Sequence, residues 1–251
     1  MTSTPTSGEP RRFFFVHMQK TAGTALLIRL QRQFGGAAVY PAPVDEGPRI
    51  DVVLNPHFLA ERFAARKDEI RLVTGHFPLC VSEMLGVPFE TFTVLRDPVE
   101  RTLSFLRHHK KLEASSRDLS LEEIYEDPVL QQGLIRNHMV KMLSLTTDEM
   151  THWAMTEVTF DDARLARAED NLERRIDVFG LQERFEEFCD DLTDRFGWDL
   201  GDPAFANRTE PTDVSEEFRA RIAADNAMDM ELYAFADRVL QRRHASAPGS
   251  R

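Results

Sequence analysis

The most constraining feature of the chain is a junction near its start. Arg12-Phe13-Phe14-Phe15-Val16-His17 is a short apolar and aromatic run of the kind that forms a fully buried strand. It passes without a spacer into Met18-Gln19-Lys20-Thr21-Ala22-Gly23-Thr24-Ala25. Leu26, Leu27, Leu30 and Phe34 then recur at helical spacing until Gly35-Gly36 stops the helix. Strand, tight loop and helix in that order leave the N–H groups of the first helical turn facing whatever occupies the loop, and the helix dipole favours an anion there. Gly23 permits close approach and Lys20 supplies charge. The ATP-type loop needs G-x-x-x-x-G-K-[ST]; here lysine precedes glycine and the first glycine is missing, which disfavours an ATPase or kinase. Taken alone, the same residues also fit a solvent-exposed lysine at a strand end followed by small residues in a tight turn.

The pattern repeats more loosely downstream. Val52-Val53-Leu54, Ile70 to Thr74, Thr91 to Leu95 and Val178 to Leu181 read as strands. Asn55-Pro56 reads as the cap and first residue of a helix running through Arg66, and Asp97-Pro98 as the same pair for the next. Strands separated by helices imply right-handed crossovers and an α/β, P-loop-like three-layer fold: a central, mostly parallel sheet flanked by helices. The second half is helix-rich, with apolar residues at helical spacing over 119–125, 161–174, 183–196 and 215–243. The segment 197–213 reads as an ordered loop or short hairpin. The expected division is a disordered tail over 1–11, one domain over 12–244 and a C-terminal tail over 245–251.

Charge sharpens where an anion would sit. The chain of 251 residues carries 31 Lys and Arg against 42 Asp and Glu, a formal charge of −11, which counts against a nucleic-acid partner. Residues 1–111 are net +4, whereas 112–251 are net −15, so anion chemistry belongs to the first half. Two cysteines, Cys80 and Cys189, make no disulfide framework, and no His/Cys cluster has metal-ligand spacing. No secretory signal and no membrane-length apolar run is present, so the expected location is cytoplasmic.

A second anion element follows the Thr91–Leu95 strand. Arg96 stands at its carboxyl end, where open α/β sheets place ligands, and Ser104 lies two turns along the next helix. A planar multi-donor cation and a hydroxyl suit a second phosphate apart from the first. The structural alternative is that Arg96 pairs with a carboxylate and Ser104 faces a neighbouring helix.

His17 to Thr24 together with Leu95-Arg96-Asp97-Pro98-Val99-Glu100-Arg101-Thr102-Leu103-Ser104 resembles the carbohydrate sulfotransferases of the heparan sulfate 2-O/6-O type (sulfotransferase family 2), as a bacterial-like soluble member. Thr74-Gly75-His76-Phe77-Pro78, Phe179 to Phe185, Asn207-Arg208-Thr209 and Asn226 to Tyr233 are similar to further family segments in the same order. The family's membrane anchor and lumenal disulfides have no counterpart here.

The resemblance implies an enzyme that moves a sulfuryl group from 3′-phosphoadenosine 5′-phosphosulfate (PAPS) to an acceptor hydroxyl of a sugar or small metabolite, with PAP as product and no metal. It implies that Lys20, Thr21, Ala22, Gly23, Thr24 and Ala25 cradle the 5′-phosphosulfate. Arg96 and Ser104 would hold the 3′-phosphate, and Asn207, Arg208 and Thr209 would close over the nucleotide. Lys20 is placed to neutralise the leaving oxygen. His76, in a loop fixed by Gly75 and Pro78, is the expected general base, since imidazole suits that task near neutral pH; a substrate contact or a part in the loop's structure is the other reading. His17, at the strand end, and His108, one turn after Ser104, are acceptor-side candidates. Lys141 is another, in Arg136 to Leu143, where the family has an arginine. Structural readings stay open for all three, and Arg107 to Lys111 also reads as a solvated basic run. The acid-rich chain favours a small or neutral acceptor over a highly sulfated polysaccharide, which the basic run Arg107 to Lys111 keeps open. The other function classes are a nucleotide-dependent kinase with a degenerate loop and a non-catalytic nucleotide-binding module. No oligomeric state is indicated.

Overall fold

A computed structural model describes residues 10–150, 152–201 and 214–246. Along the first half run β1 (Phe13–Val16), α1 (Gly23–Phe34), β2 (Val39–Tyr40), α2 (Arg49–Leu54), α3 (Pro56–Ala65), β3 (Leu72–Val73), the short α4 (Val81–Met84), β4 (Glu90–Leu95) and α5 (Pro98–Leu112). The second half holds α6 (Leu121–Tyr125), α7 (Pro128–Leu130), α8 (His138–Ser144), α9 (Asp162–Arg174), β5 (Val178–Leu181), α10 (Phe185–Phe196), α11 (Glu216–Asp225) and α12 (Ala227–Ser246). The five strands form one parallel sheet in the order β2-β3-β1-β4-β5.

β1 lies at the centre and is buried along its whole length. Its alternation sorts side chains between the two layers. Phe14 and Val16 join Val73, Phe77, Leu95 and Phe179 on one face, while Phe13 and Phe15 join Leu72, Phe92, Val94 and Trp198 on the other. Register then follows: Phe15 stands opposite Phe92 and Val16 opposite Thr93. A one-residue slip would exchange the two faces.

Several local signals act as the sequence suggests. Asn55 accepts from the backbone N–H groups of His57 and Phe58 at the start of α3, and Asp97 accepts from Glu100 at the start of α5. Others do not. Val52 to Leu54, expected as a strand, is the end of helix α2, because a three-residue apolar run has no resolvable period. The strand expected over 70–74 is only Leu72–Val73, β2 has no clear sequence signal, and 215–243 is broken at Asn226 into α11 and α12. Most of 197–213, including 202–213, lies outside the described residues.

Candidate active site

β3, β1 and β4 are adjacent, parallel and central, so the loops at their carboxyl ends open side by side. The chain leaves β1 for β2 and β3 on one side, then crosses to β4 and β5 on the other. Such a reversal of strand order opens a crevice at the carboxyl ends. Into it the three loops carry Lys20, His76 and Arg96.

The loop after β1 is held in an unusual backbone form. Lys20 and Ala22 both take positive φ, 70° and 65°. Alternation with left-handed residues turns successive N–H groups toward one point, a nest for an anion. Ala22 is the N-cap of α1, and no side chain caps that helix. Thr21 is buried with its hydroxyl donating to the carbonyl of Met18 at 2.9 Å, which closes the loop on itself. Thr24 is exposed in the first turn of α1, whereas Ala25 is buried beneath it.

Gly23 is required by its neighbour. A Cβ there would stand 1.7 Å from Nε2 of His17. The His17 ring is itself confined, stacked on Phe15 with centroids 4.9 Å apart and packed against His76 at 4.6 Å. Burial, then His76 and Lys20, push its pKa well below the ordinary imidazole value. His17 is therefore a neutral wedge between β1, α1 and the His76 loop.

His76 is fixed at both ends. Its backbone N–H donates to the carbonyl of Val53 at 2.8 Å, and its Nδ1 lies 3.0 Å from the carbonyl of His17. A carbonyl can only accept, so Nδ1 bears hydrogen and the neutral ring keeps its lone pair on Nε2. Burial lowers its pKa; the His17 carbonyl opposes this, and Lys20, Arg49 and His108 lower it further.

Arg96 ties two loops together: its Nη1 donates to the carbonyl of Lys20 at 3.0 Å. Its Nε is buried without a partner. Burial lowers the Arg96 pKa against the pull of Glu100, Glu183 and Asp97, and burial followed by Arg96 itself lowers that of Lys20. Ser104 is buried on α5. His108 is exposed on the same helix, and partial burial, then Lys20 and Arg49, lower its pKa.

Lys20, His17, His76 and Arg96 thus meet. Lys141 does not join them. It is fully buried, and its ammonium donates to the carbonyls of Gln132 and Gly133 at 2.9 and 2.7 Å. Burial, then Arg101, bring its pKa down to about 7. Asn207, Arg208 and Thr209 lie outside the described residues. Among the described residues no group of three His, Cys, Asp or Glu side chains is placed to hold a metal, and no helix is long and apolar enough to cross a membrane. Cys80 and Cys189 are free and buried.

The Asn226 to Tyr233 segment has a structural task. Asn226 accepts from the backbone N–H of Asn137, and the buried Asp229 carboxylate accepts from those of Met139 and Val140, capping α8. Burial raises the Asp229 pKa to about 6 despite the attraction of Arg101. Asp229→Ala leaves two buried N–H groups unpaired and should cost about 3 kcal/mol, read as a lower urea midpoint. A loss within about 0.5 kcal/mol would show that the cap is not needed.

Sequence reasoning missed two participants. Arg49 stands on α2, four residues before Val53, whose carbonyl accepts from the His76 backbone N–H. His138 is fully buried near His76, with neither ring nitrogen making a well-formed hydrogen bond. Arg49 sits in no recognisable motif, and His138 falls within Arg136 to Leu143, where the family likeness singles out only Lys141.

No protein-family model matches the chain, and no curated protein matches it significantly. Among solved structures, a sulfotransferase from Alicyclobacillus acidocaldarius superposes with a TM-score of 0.51 at 17% identity, over 89% of this chain and 96% of that one. The chain has a sulfotransferase fold. The mouse sulfotransferase SULT7A1, solved with PAP, aligns with a TM-score of 0.43 at 11% identity over 87% of this chain and 65% of that one, too slight a likeness to carry an argument. The β3-β1-β4 centre of the sheet places Lys20, His76 and Arg96 in this fold.

Proposed function

We propose that the chain is a sulfotransferase that uses PAPS to sulfate an acceptor hydroxyl. One observation carries the reading: an uncapped, glycine-bearing helix start and its lysine share a crevice with an arginine bonded to that lysine's carbonyl and a histidine whose lone pair is fixed on Nε2. The residues fit the nucleotide. The nest over Lys20 to Gly23 suits the 5′-phosphosulfate, and the unpartnered Nε of Arg96, with Ser104, suits a 3′-phosphate. The assignment to the carbohydrate branch, a single domain over 12–244 and a cytoplasmic location rest on the sequence reading.

When bound, PAPS supplies the sulfuryl group and departs as PAP. The rest is the work of side chains. Nε2 of His76 accepts the proton of the acceptor hydroxyl as its oxygen bonds to sulfur. Lys20 donates to the bridging oxygen on which charge grows as the S–O bond breaks, and its lowered pKa eases that donation. Arg96 and the helix start hold the two ends of the nucleotide, so the reaction depends mostly on position and charge.

Calorimetry tests the cofactor. PAP should bind without magnesium, and ATP with magnesium should bind far more weakly; the reverse order would favour a kinase. Arg96→Ala should weaken PAP at least about tenfold, the worth of a charge-assisted hydrogen bond, while 5′-AMP changes little. Equal losses for both ligands would sink the 3′-phosphate assignment.

A further inference from the structure

Lys20 stands in a backbone form that a side chain disfavours. Its φ of 70° lies in the left-handed region, where a Cβ crowds the backbone, and Ala22 at 65° shares it two residues on. Such residues persist where the surroundings over-determine them. Two side chains do so here. Thr21 closes the loop from within, its hydroxyl donating to the Met18 carbonyl at 2.9 Å. Arg96 holds it from outside, its Nη1 donating to the Lys20 carbonyl at 3.0 Å across 76 positions of sequence. Among the described residues that carbonyl accepts no other hydrogen bond.

Both ends of this bond are firmly based. Val16 of β1 pairs with Thr93 of β4, and the Thr93 hydroxyl donates to the Val16 carbonyl at 2.7 Å, so the loops bearing Lys20 and Arg96 start side by side. A carbonyl pinned from the neighbouring strand sets ψ of its own residue. With φ held as well, the Cα–Cβ bond of Lys20 keeps one direction. The guanidinium does this without giving up its ligand: Nε–H points along the other edge of the planar group, and Nε is buried with no partner.

We propose that Arg96 is a positioning residue for Lys20: by holding the Lys20 carbonyl it keeps the ammonium aimed at the bridging oxygen, a task separate from binding the 3′-phosphate. This rests on the sulfuryl-transfer reading. It gives one side chain two effects that can be told apart, one on cofactor affinity and one on the rate of the chemical step.

The test removes the 3′-phosphate from the donor. Adenosine 5′-phosphosulfate and PAPS are compared, at saturation and with enzyme in excess, in sulfuryl transfer to water. The water oxygen bonds to sulfur as one of its protons passes to His76 and the bridging S–O bond breaks, leaving hydrogen sulfate and the nucleotide. With adenosine 5′-phosphosulfate, Arg96→Ala should slow the step at least about tenfold, the worth of a charge-assisted hydrogen bond, although no 3′-phosphate is there to lose. In a Lys20→Ala background the same substitution should change the rate by less than about threefold, because the residue it acts through is gone. Arg96→Lys, a charge without the planar fork, should fall between wild type and Arg96→Ala, and it takes the place of Arg96→Ala in the cycle if that variant does not fold. An Arg96→Ala rate within about threefold of wild type, an undiminished loss in the Lys20→Ala background, or a wild type no faster than Lys20→Ala overturns the proposal. The PAP titration of the wild type is read first: failure to bind PAP would overturn the sulfuryl-transfer reading, whereas PAP binding with any of those three rate results overturns only the positioning role.

Discussion

His76→Ala is expected to bind PAP as tightly as the wild type and to turn over about 10²- to 10⁴-fold more slowly, the usual contribution of a positioned general base. The expectation rests on two contacts. The His17 carbonyl holds hydrogen on Nδ1, so the lone pair stays on Nε2, and the Val53 carbonyl holds the loop. Burial together with surrounding cations lowers the His76 pKa, so the ring is already neutral near pH 7 and needs no prior proton loss. In the wild type, kcat/KM should therefore rise with pH along a limb lying below the ordinary imidazole value of about 6.5 and be flat at neutrality. His76→Ala should lose that limb. A variant that keeps turnover within about threefold moves the base to another residue.

Gly23→Ala is expected to abolish cofactor binding, by about 10²-fold or more, through one methyl group. Its Cβ would lie 1.7 Å from Nε2 of His17, and the His17 ring has little freedom to retreat. It is stacked on Phe15, which is stacked on Phe92 at 5.0 Å in the centre of the sheet, and it packs against His76 on another side. Overpacking of this kind costs about 1–3 kcal/mol. Relief by shifting α1 would spoil the donors of its first turn, each worth about 1.5–3 kcal/mol to a charged ligand. The double variant His17→Ala/Gly23→Ala removes the obstruction and should recover most of the PAP affinity. Lack of recovery would mean that Gly23 serves the nucleotide directly rather than making room for His17.

How much of this was legible differs from residue to residue. The cap residues Asn55 and Asp97 act on N–H groups two or three positions away, so their signal is local and reads correctly. Val52 to Leu54 gives no such signal: three apolar residues fit a strand or a helix end equally, and hydrogen bonds to Tyr40 and His76 anchor the helix that forms. The place of Lys141 in the Arg136 to Leu143 segment suggests an acceptor contact. Its ammonium is instead turned inward, because Gln132 and Gly133 offer carbonyls in the interior.

The sequence by itself determined the strand, loop and helix junction at Lys20 to Gly23, the parallel α/β plan and the placement of Arg96 at a strand end. Those depend on period, capping and turn chemistry within a few residues. Only the tertiary structure decided which nitrogen of His76 is free and why residue 23 must lack a side chain. These follow from contacts such as His76 with the His17 carbonyl, 59 residues apart, and Arg96 with the Lys20 carbonyl, 76 apart. Sheet order brings such pairs together, and no local pattern encodes it.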